Sequence, residues 1–315
     1  MKTKVKVLLI VLIVSVLSQC KKDPVPAVTI TDTNFLNALI EQGVDINNDG
    51  IISIDEAALI DILDVNARNI SDLKGIEAFV NLEELGCGMN QLTSLDVSNN
   101  TALAFLNCGD NQLTSLDVSN NTALTHLGCF VNQLTSLDFS NNTALISLEC
   151  AGNQLTSLDV SKNTALEGLF CSNNQLTSLD VSNNTALTNL SCGLNQLTTL
   201  DVSNNTALTI YLECAGNQLT SLDVSKNTAL EGLVCSNNQL TSLDVSNNTA
   251  LTILDCGGNQ LNSLNLVNNP AINSLSLYYM PSLSKVCVWT MPFPPTGLSV
   301  NTYGSPDIYF TMTCN

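Results

Sequence analysis

Nine cysteines return along the middle of this chain at an almost constant step, and that period constrains the fold more than any other feature. Cys87, Cys108, Cys129, Cys150, Cys171 and Cys192 lie 21 residues apart; Cys214 follows after 22, then Cys235 and Cys256 at 21 again. Such a period means one small unit stacked on itself, because a unit this short cannot bury its own apolar face and needs a neighbour on each side. Repetition therefore overrides length as a guide to domain count in this chain of 315 residues.

Around each cysteine runs L-x-x-L-x-C-x-x-N-x-L, as in "LAFLNCGDNQL" from Leu103 to Leu113. The rest of each unit, "LTSLDVSNNTA", repeats L-x-x-L-x-V, so a second arm also turns two leucines and a valine inward. We read each unit as two short extended arms joined by turns, with "SNNTA" as the corner. Asn tolerates left-handed backbone geometry there, and Ser and Asn bond nearby amides. "NNT" also matches a glycosylation sequon, but the turn reading is preferred. Degenerate units flank the nine: "IDILDVNARNI", Ile60 to Ile70, has Val65 at the cysteine position, and "INSLSLYYMPSL", Ile272 to Leu283, has Leu277 there. Atypical end units are what a stack needs, since each terminal coil presents one face to water.

This pattern resembles the leucine-rich repeat, with cysteine in place of the third leucine. The 21-residue unit and its "LDVSNNTxL" segment are similar to those of bacterial proteins of the internalin J type, over roughly residues 60 to 283. The resemblance implies a mainly β solenoid: a parallel sheet of about eleven coils, with a second short extended arm per coil. It also implies an extracellular adhesin fixed to the cell envelope, which binds and does not catalyse. Residues 284–315, rich in Pro, Gly and aromatics, are expected to form a C-terminal cap.

The N-terminus, "MKTKVKVLLIVLIVSVLSQCKKDP", has three lysines, an apolar run from Val7 to Leu17 and then a cysteine. That run is too short to span a bilayer as a helix and has the layout of a secretory signal. "LSQC" resembles a bacterial lipobox, although Gln19 departs from the usual small residue. The resemblance implies cleavage after residue 19 and lipidation of Cys20, with residues 20–29 as a tether. Membrane attachment through that lipid, an outer-membrane lipoprotein and exposure at the surface are the corresponding expectations.

A column of thiols admits three readings. Disulfides need Cβ atoms about 3.5 to 4.5 Å apart, and coils in register hold equivalent residues about 4.8 Å apart. Zinc needs ligands converging from four directions. The remaining reading is a small buried hydrophobe at a tight core position. The asparagine column, Asn90 to Asn259, is likewise structural, its amides bonding backbone groups of adjacent coils. Outside the column, Cys287 and Cys314 are candidates for a disulfide in an oxidising compartment.

Ahead of the first coil, "DINNDGIISIDE" matches D-x-[DN]-x-[DN]-G-x5-E at every specified position and resembles an EF-hand loop. Asp45, Asn47, Asp49, Ser53 and Glu56 would offer side-chain oxygens to one calcium ion and Ile51 its carbonyl. "TNFLNALIEQ" before it has apolar residues at helical spacing behind Asp32 or Thr33 as cap. Residues 30–59 are therefore expected to form a small helical cap. The single loop fits a fixed clip better than a switch.

Binding residues should lie where the units differ. "NQLTSLDVSNNTAL" hardly varies, whereas positions beside the inward leucine and cysteine do. They include Phe105, Asn107, His126, Phe130, Glu149, Phe170 and Tyr211, which alternate with inward residues and so share the sheet's outer face. Protein or a cell-surface polymer is the expected partner, with the protein acting as a monomer. A net charge of −18, from 28 acidic and 10 basic residues, disfavours nucleic acid. Leu148 to Thr188 and Leu212 to Thr252 are identical except for Phe170 against Val234, so a structural spacer lengthened by duplication is the alternative. Eight aspartates, Asp96 to Asp244, form a column on the opposite arm, their repulsion offset by bonds to turn amides. His126 is the sole histidine, and no unit breaks the repeat to build a nucleophile, a carboxylate pair or a phosphate loop.

Overall fold

The structure, a computed structural model, describes residues 26–314; the apolar leader, Cys20 and most of the tether lie outside that span. Each coil contributes one three-residue strand whose middle residue points inward. The ladder starts at β1 (Ile62–Asp64), β2 (Glu84–Gly86), β3 (Phe105–Asn107), β4 (His126–Gly128) and β5 (Ser147–Glu149). It continues through β6 (Gly168–Phe170), β7 (Asn189–Ser191), β8 (Tyr211–Glu213), β9 (Gly232–Val234) and β10 (Ile253–Asp255). After these, β11 (Ser263–Asn265), β12 (Ser274–Ser276), β13 (Lys285–Cys287), β14 (Ser299–Asn301) and β15 (Tyr309–Thr311) alternate between two sheets.

Twelve strands form one parallel sheet in the order β1 to β10, β12, β14. Its register stacks Leu63, Leu85, Leu106 and their successors on one another along the whole length. The sheet thus runs one strand beyond the expected eleven coils, into the C-terminal segment. There β11, β13 and β15 form a second parallel sheet on the opposite arm. Among the described residues, that arm has only the Asp96–Asp117 bridge in earlier coils, because its turn amides bond side chains instead. Ser119 N donates to Asp117 Oδ1 at 2.9 Å, and the same bond recurs from Asp96 to Asp244.

The strands are short because the chain turns left-handed two residues past each cysteine. Asp110, Val131, Asn173, Leu194 and Asn237 have φ between 50° and 55° there, and Gly152, Gly216 and Gly258 between 65° and 68°. Expecting this geometry in the "SNNTA" corner was wrong. Among the described residues, none of those corner asparagines has positive φ. Their second member is buried instead: Asn121 Nδ2 donates to Val97 O at 3.0 Å and Asn100 O at 2.8 Å, one coil back. This second amide ladder runs from Asn100 to Asn269, fully buried throughout.

The expected ladder is there too. Asn132 Nδ2 donates to Cys108 O and Cys129 O, both at 3.1 Å, while its Oδ1 accepts from Leu113 N at 2.9 Å. Between the two ladders lie the leucines, the valines and all nine column cysteines, each cysteine fully buried and unbridged.

Both ends are sealed. At the N-terminus α1 (Thr33–Glu41) buries Phe35, Ala38 and Leu39 over the first coil, with Phe35 and Phe79 ring centroids 6.5 Å apart. Its cap residue Asp32 accepts from Asn34 N and Phe35 N, and also from the Ser71 amide and hydroxyl, which ties the helix to the solenoid. Burial alone would raise the Asp32 pKa, but these bonds outweigh it and hold the carboxyl below its usual value. At the other end Trp289, Phe293 and Phe310 pack on the last coil, and a disulfide joins Cys287 to Cys314 with Cα atoms 5.8 Å apart.

Candidate functional site

On the outer face of the sheet, five of the seven residues singled out from the sequence meet at one place. Phe105 and Asn107 of β3, His126 of β4, Phe130 just after it and Glu149 of β5 line a hollow of about 100 Å³, with Leu127, Gly128 and Ser147 completing it. Strand pairing positions them: Phe105 lies opposite His126 and His126 opposite Ser147. The Phe105 and His126 rings stand 6.1 Å apart and tilted by 34°, with His126 Nδ1 held 2.9 Å from Thr125 Oγ1.

Phe130 is half-buried because of a glycine. A Cβ built on Gly109 would come 2.5 Å from Phe130 Cζ, so the ring rests on the backbone of the preceding coil. A side chain at Gly109 would displace it. Phe105, by contrast, is 39% exposed. Asn107 Oδ1 accepts from Gly109 N at 3.0 Å. The Glu149 carboxylate is exposed and bonds nothing among the described residues.

Phe170 and Tyr211 do not join this group. Phe170 packs on Gly168 of its own strand, and Tyr211 covers Gly232 of the next coil, where a Cβ would meet the ring at 2.4 Å. Burial pushes the Tyr211 hydroxyl pKa upward, Glu213 adding to the shift. The inserted residue of the 22-residue step falls before β8, so Asn189 still pairs with Tyr211.

A further cluster on this face has no signal in any single unit. Glu213 Oε2 accepts from Ser191 Oγ at 2.7 Å, Ser172 Oγ at 2.9 Å and Gly193 N at 3.1 Å, and Oε1 accepts from Ala215 N at 3.0 Å. Three coils supply these donors. Only comparison of one column across consecutive units could have found it.

Next to the first coil, the Asp45–Glu56 loop wraps its backbone amides around its own side chains. Asp45 accepts from Asp49 N at 3.1 Å and Gly50 N at 2.8 Å, Asn47 from Asp49 N at 2.8 Å, and Asp49 from Ile51 N at 2.9 Å. Gly50 supplies the sharp turn at φ +80°. Glu56 and Ser53 form a capping box on α2 (Ile54–Ala57), and Glu56 also accepts from Ile46 N at 3.0 Å. The Ser53 amide and hydroxyl are the main cause of a Glu56 pKa below its usual value.

Asp45 and Glu56 are each 6% exposed, and no lysine or arginine pairs with either among the described residues. A hard oxygen donor set with two desolvated carboxylates fits calcium. The described residues do not bring three carboxylate, histidine or cysteine side chains together as a ready cluster, so Asn47, Ser53 and the Ile51 carbonyl would have to complete it. The loop is closed from outside by the N-terminal segment. Val28 N donates to Ile52 O at 2.8 Å and Ile54 N to Pro26 O at 3.1 Å, which the sequence did not suggest.

The opposite arm has a larger depression of about 380 Å³ around Asp117 and Asp138. Its aspartates are already engaged by serine amides, whose bonds lower their pKa values. Those aspartates and serines repeat from unit to unit, from Asp96 and Ser98 to Asp244 and Ser246, so the depression is not special to one place.

No protein-family model and no curated protein matches the chain. Solved structures do. The functional domain of InlJ from Listeria monocytogenes, which includes a cysteine ladder, is 34% identical, with a TM-score of 0.77 over 90% of this chain and 64% of that one. This chain therefore spans just under two thirds of that structure. The internalin InlF from Listeria monocytogenes is 22% identical over 90% and 96% of the two chains, with a TM-score of 0.63. A leucine-rich-repeat protein of Leptospira interrogans is 23% identical over 82% and 75%, with a TM-score of 0.68. The last two are similar in fold alone.

Proposed function

We propose that this internalin-like leucine-rich-repeat solenoid is a non-enzymatic binding protein of the cell envelope, which contacts a protein or a surface polymer through the outer face of its long sheet. The observation that carries this reading is the hollow at Phe105, His126 and Phe130. Buried positions repeat from coil to coil, but here three aromatic rings converge on the surface of consecutive coils. Partly exposed rings grouped in this way are the usual anchors of interfaces. The Thr125 hydroxyl beside His126 donates to the Ala104 carbonyl at 3.1 Å, and no carboxylate bonds the imidazole among the described residues, so no nucleophile–base–acid relay is assembled there, which supports binding over catalysis.

Attachment is proposed through lipidated Cys20, on the strength of the apolar leader and "LSQC". The Asp45–Glu56 loop is proposed to hold one calcium ion as a clip on the N-terminal cap. Calcium should then raise the melting temperature and Glu56→Gln should abolish that rise; an unchanged melt with chelator overturns the assignment.

The test of the main reading is the full-length protein with Phe105→Ala, His126→Ala and Phe130→Ala, assayed for adhesion to neighbouring or host cells and to their surface polymers. Loss of at least about a hundredfold is expected, each anchor contributing roughly 1–2 kcal/mol. Undiminished adhesion would favour a spacer, the reading that the duplicated Leu148–Thr188 and Leu212–Thr252 also suit.

A further inference from the structure

We infer that the hollow is the seat of a basic side chain, arginine in preference to lysine, presented by a protein partner whose contacting segment is cationic. This rests on the binding-face reading and adds the chemistry of the contact. A space of about 100 Å³ is well below the ~300–1,000 Å³ of a small-molecule pocket and accommodates one side-chain head. Its walls are the rings of Phe105, His126 and Phe130, and aromatic faces attract a guanidinium, which also stacks on them.

At the rim stands Glu149, a carboxylate with no partner among the described residues, able to take two guanidinium hydrogens side by side. The surrounding charge points the same way. The outward positions of the twelve strands include Asp64, Glu84, Glu149, Glu213 and Asp255 and not one lysine or arginine. The whole chain carries −18. A cationic segment would be steered to this face, where Asp64 is bound by Asn66, Glu213 by four donors and Asp255 by Ser236 and Gly257; of the two acids left unoccupied among the described residues, Glu84 and Glu149, it is Glu149 that lines the hollow. Phe130, seated on Gly109, is held in place before any ligand arrives, which lowers the ordering cost of binding.

The experiment uses the full-length protein and three labelled hexapeptides, (Gly-Arg)3, (Gly-Lys)3 and (Gly-citrulline)3, read by fluorescence anisotropy at low and moderate salt. The arginine peptide should bind most tightly and the neutral citrulline peptide at least about tenfold more weakly. Glu149→Gln and Phe130→Ala should each weaken the arginine peptide by about tenfold, and Glu213→Gln, which removes the same charge, by less than about twofold. Equal effects of Glu149→Gln and Glu213→Gln would mean diffuse attraction and overturn the inference, as would equal binding of arginine and citrulline peptides. If the alanine triple abolishes adhesion while Glu149→Gln leaves it intact, the face binds but its ligand is not basic, and this inference alone falls.

Discussion

Glu149 and Glu213 occupy equivalent places in two stretches that differ at a single residue, Phe170 against Val234, yet their surroundings are opposite. Glu213 is half-buried and accepts four hydrogen bonds. Glu149 is exposed and accepts none among the described residues. The difference comes from the coils stacked in front of each copy. Ahead of Glu213 lie Ser172, Ser191 and Gly193; ahead of Glu149, in the same columns, lie Gly109, Gly128 and Phe130. Hydroxyls tie down the first carboxylate, and two glycines with a phenyl ring leave the second free. In a solenoid, then, a residue's role is set by neighbours one and two units away, and duplicating a segment does not duplicate its surface.

Beneath the surface the copies are alike, which the largest expected effect would expose. Burial pushes the thiols of Cys108 and Cys150 up to about 12, and that of Cys214, the counterpart of Cys150, upward as well, from a usual value of 9.0. Folded thiols keep protons that unfolded ones release. Their contribution to stability is therefore complete below pH 9 and is lost as pH rises toward 12, by roughly 1 kcal/mol per pH unit for each thiol. Urea midpoints should fall steeply across that window. A thiol reagent should label Cys150 and Cys214 together, and only on unfolding; selective labelling of either in the native protein would break the equivalence.

A smaller effect separates the copies at the surface. Glu213→Ala removes the acceptor of two hydroxyls and two amides and should cost about 1–3 kcal/mol by denaturant unfolding. Glu149→Ala should stay within about 0.5 kcal/mol. Equal costs would show that the two environments are not distinct.

Smallest in stability is an exchange of surroundings. Gly109→Ser, Gly128→Ser and Phe130→Gly together give Glu149 the neighbours of Glu213. Neither glycine has positive φ, so serine is tolerated at both. The new bonds should add about 1 kcal/mol, offset in part by the lost burial of the ring, while binding of the arginine peptide disappears. Retained binding would detach recognition from the unoccupied carboxylate.

The stacking itself was legible because its cause is local and repeated. Four inward leucines, a cysteine and a valine per 21 residues, with the asparagines between them, specify the coil, and nine repetitions specify the ladder. The outward positions were legible by alternation. Their grouping was not: Phe105, Asn107, His126, Phe130 and Glu149 converge while Phe170 and Tyr211 stay apart, because Phe130, Phe170 and Tyr211 each settle on the nearby glycine that leaves room, Gly109, Gly168 and Gly232. The left-handed turn was misplaced for a related reason. Composition pointed to the asparagines of "SNNTA", but backbone carbonyls of the neighbouring coil claim the second asparagine's amide, and the turn falls on a position as unsuited as Val131 at φ 50°. A β-branched residue there costs about 1–2 kcal/mol, which the packing of the stack overrides.

Period and inward pattern, properties of the chain alone, determined that this protein is a parallel leucine-rich-repeat solenoid with a buried thiol column. Which carboxylate is tied and which is free, which rings meet, and that Pro26–Val28 closes the loop at Ile52 were decided only by tertiary structure. The physical reason is that hydrogen bonds and steric room between coils depend on residues about 21 to 42 positions apart, so no single unit contains the information.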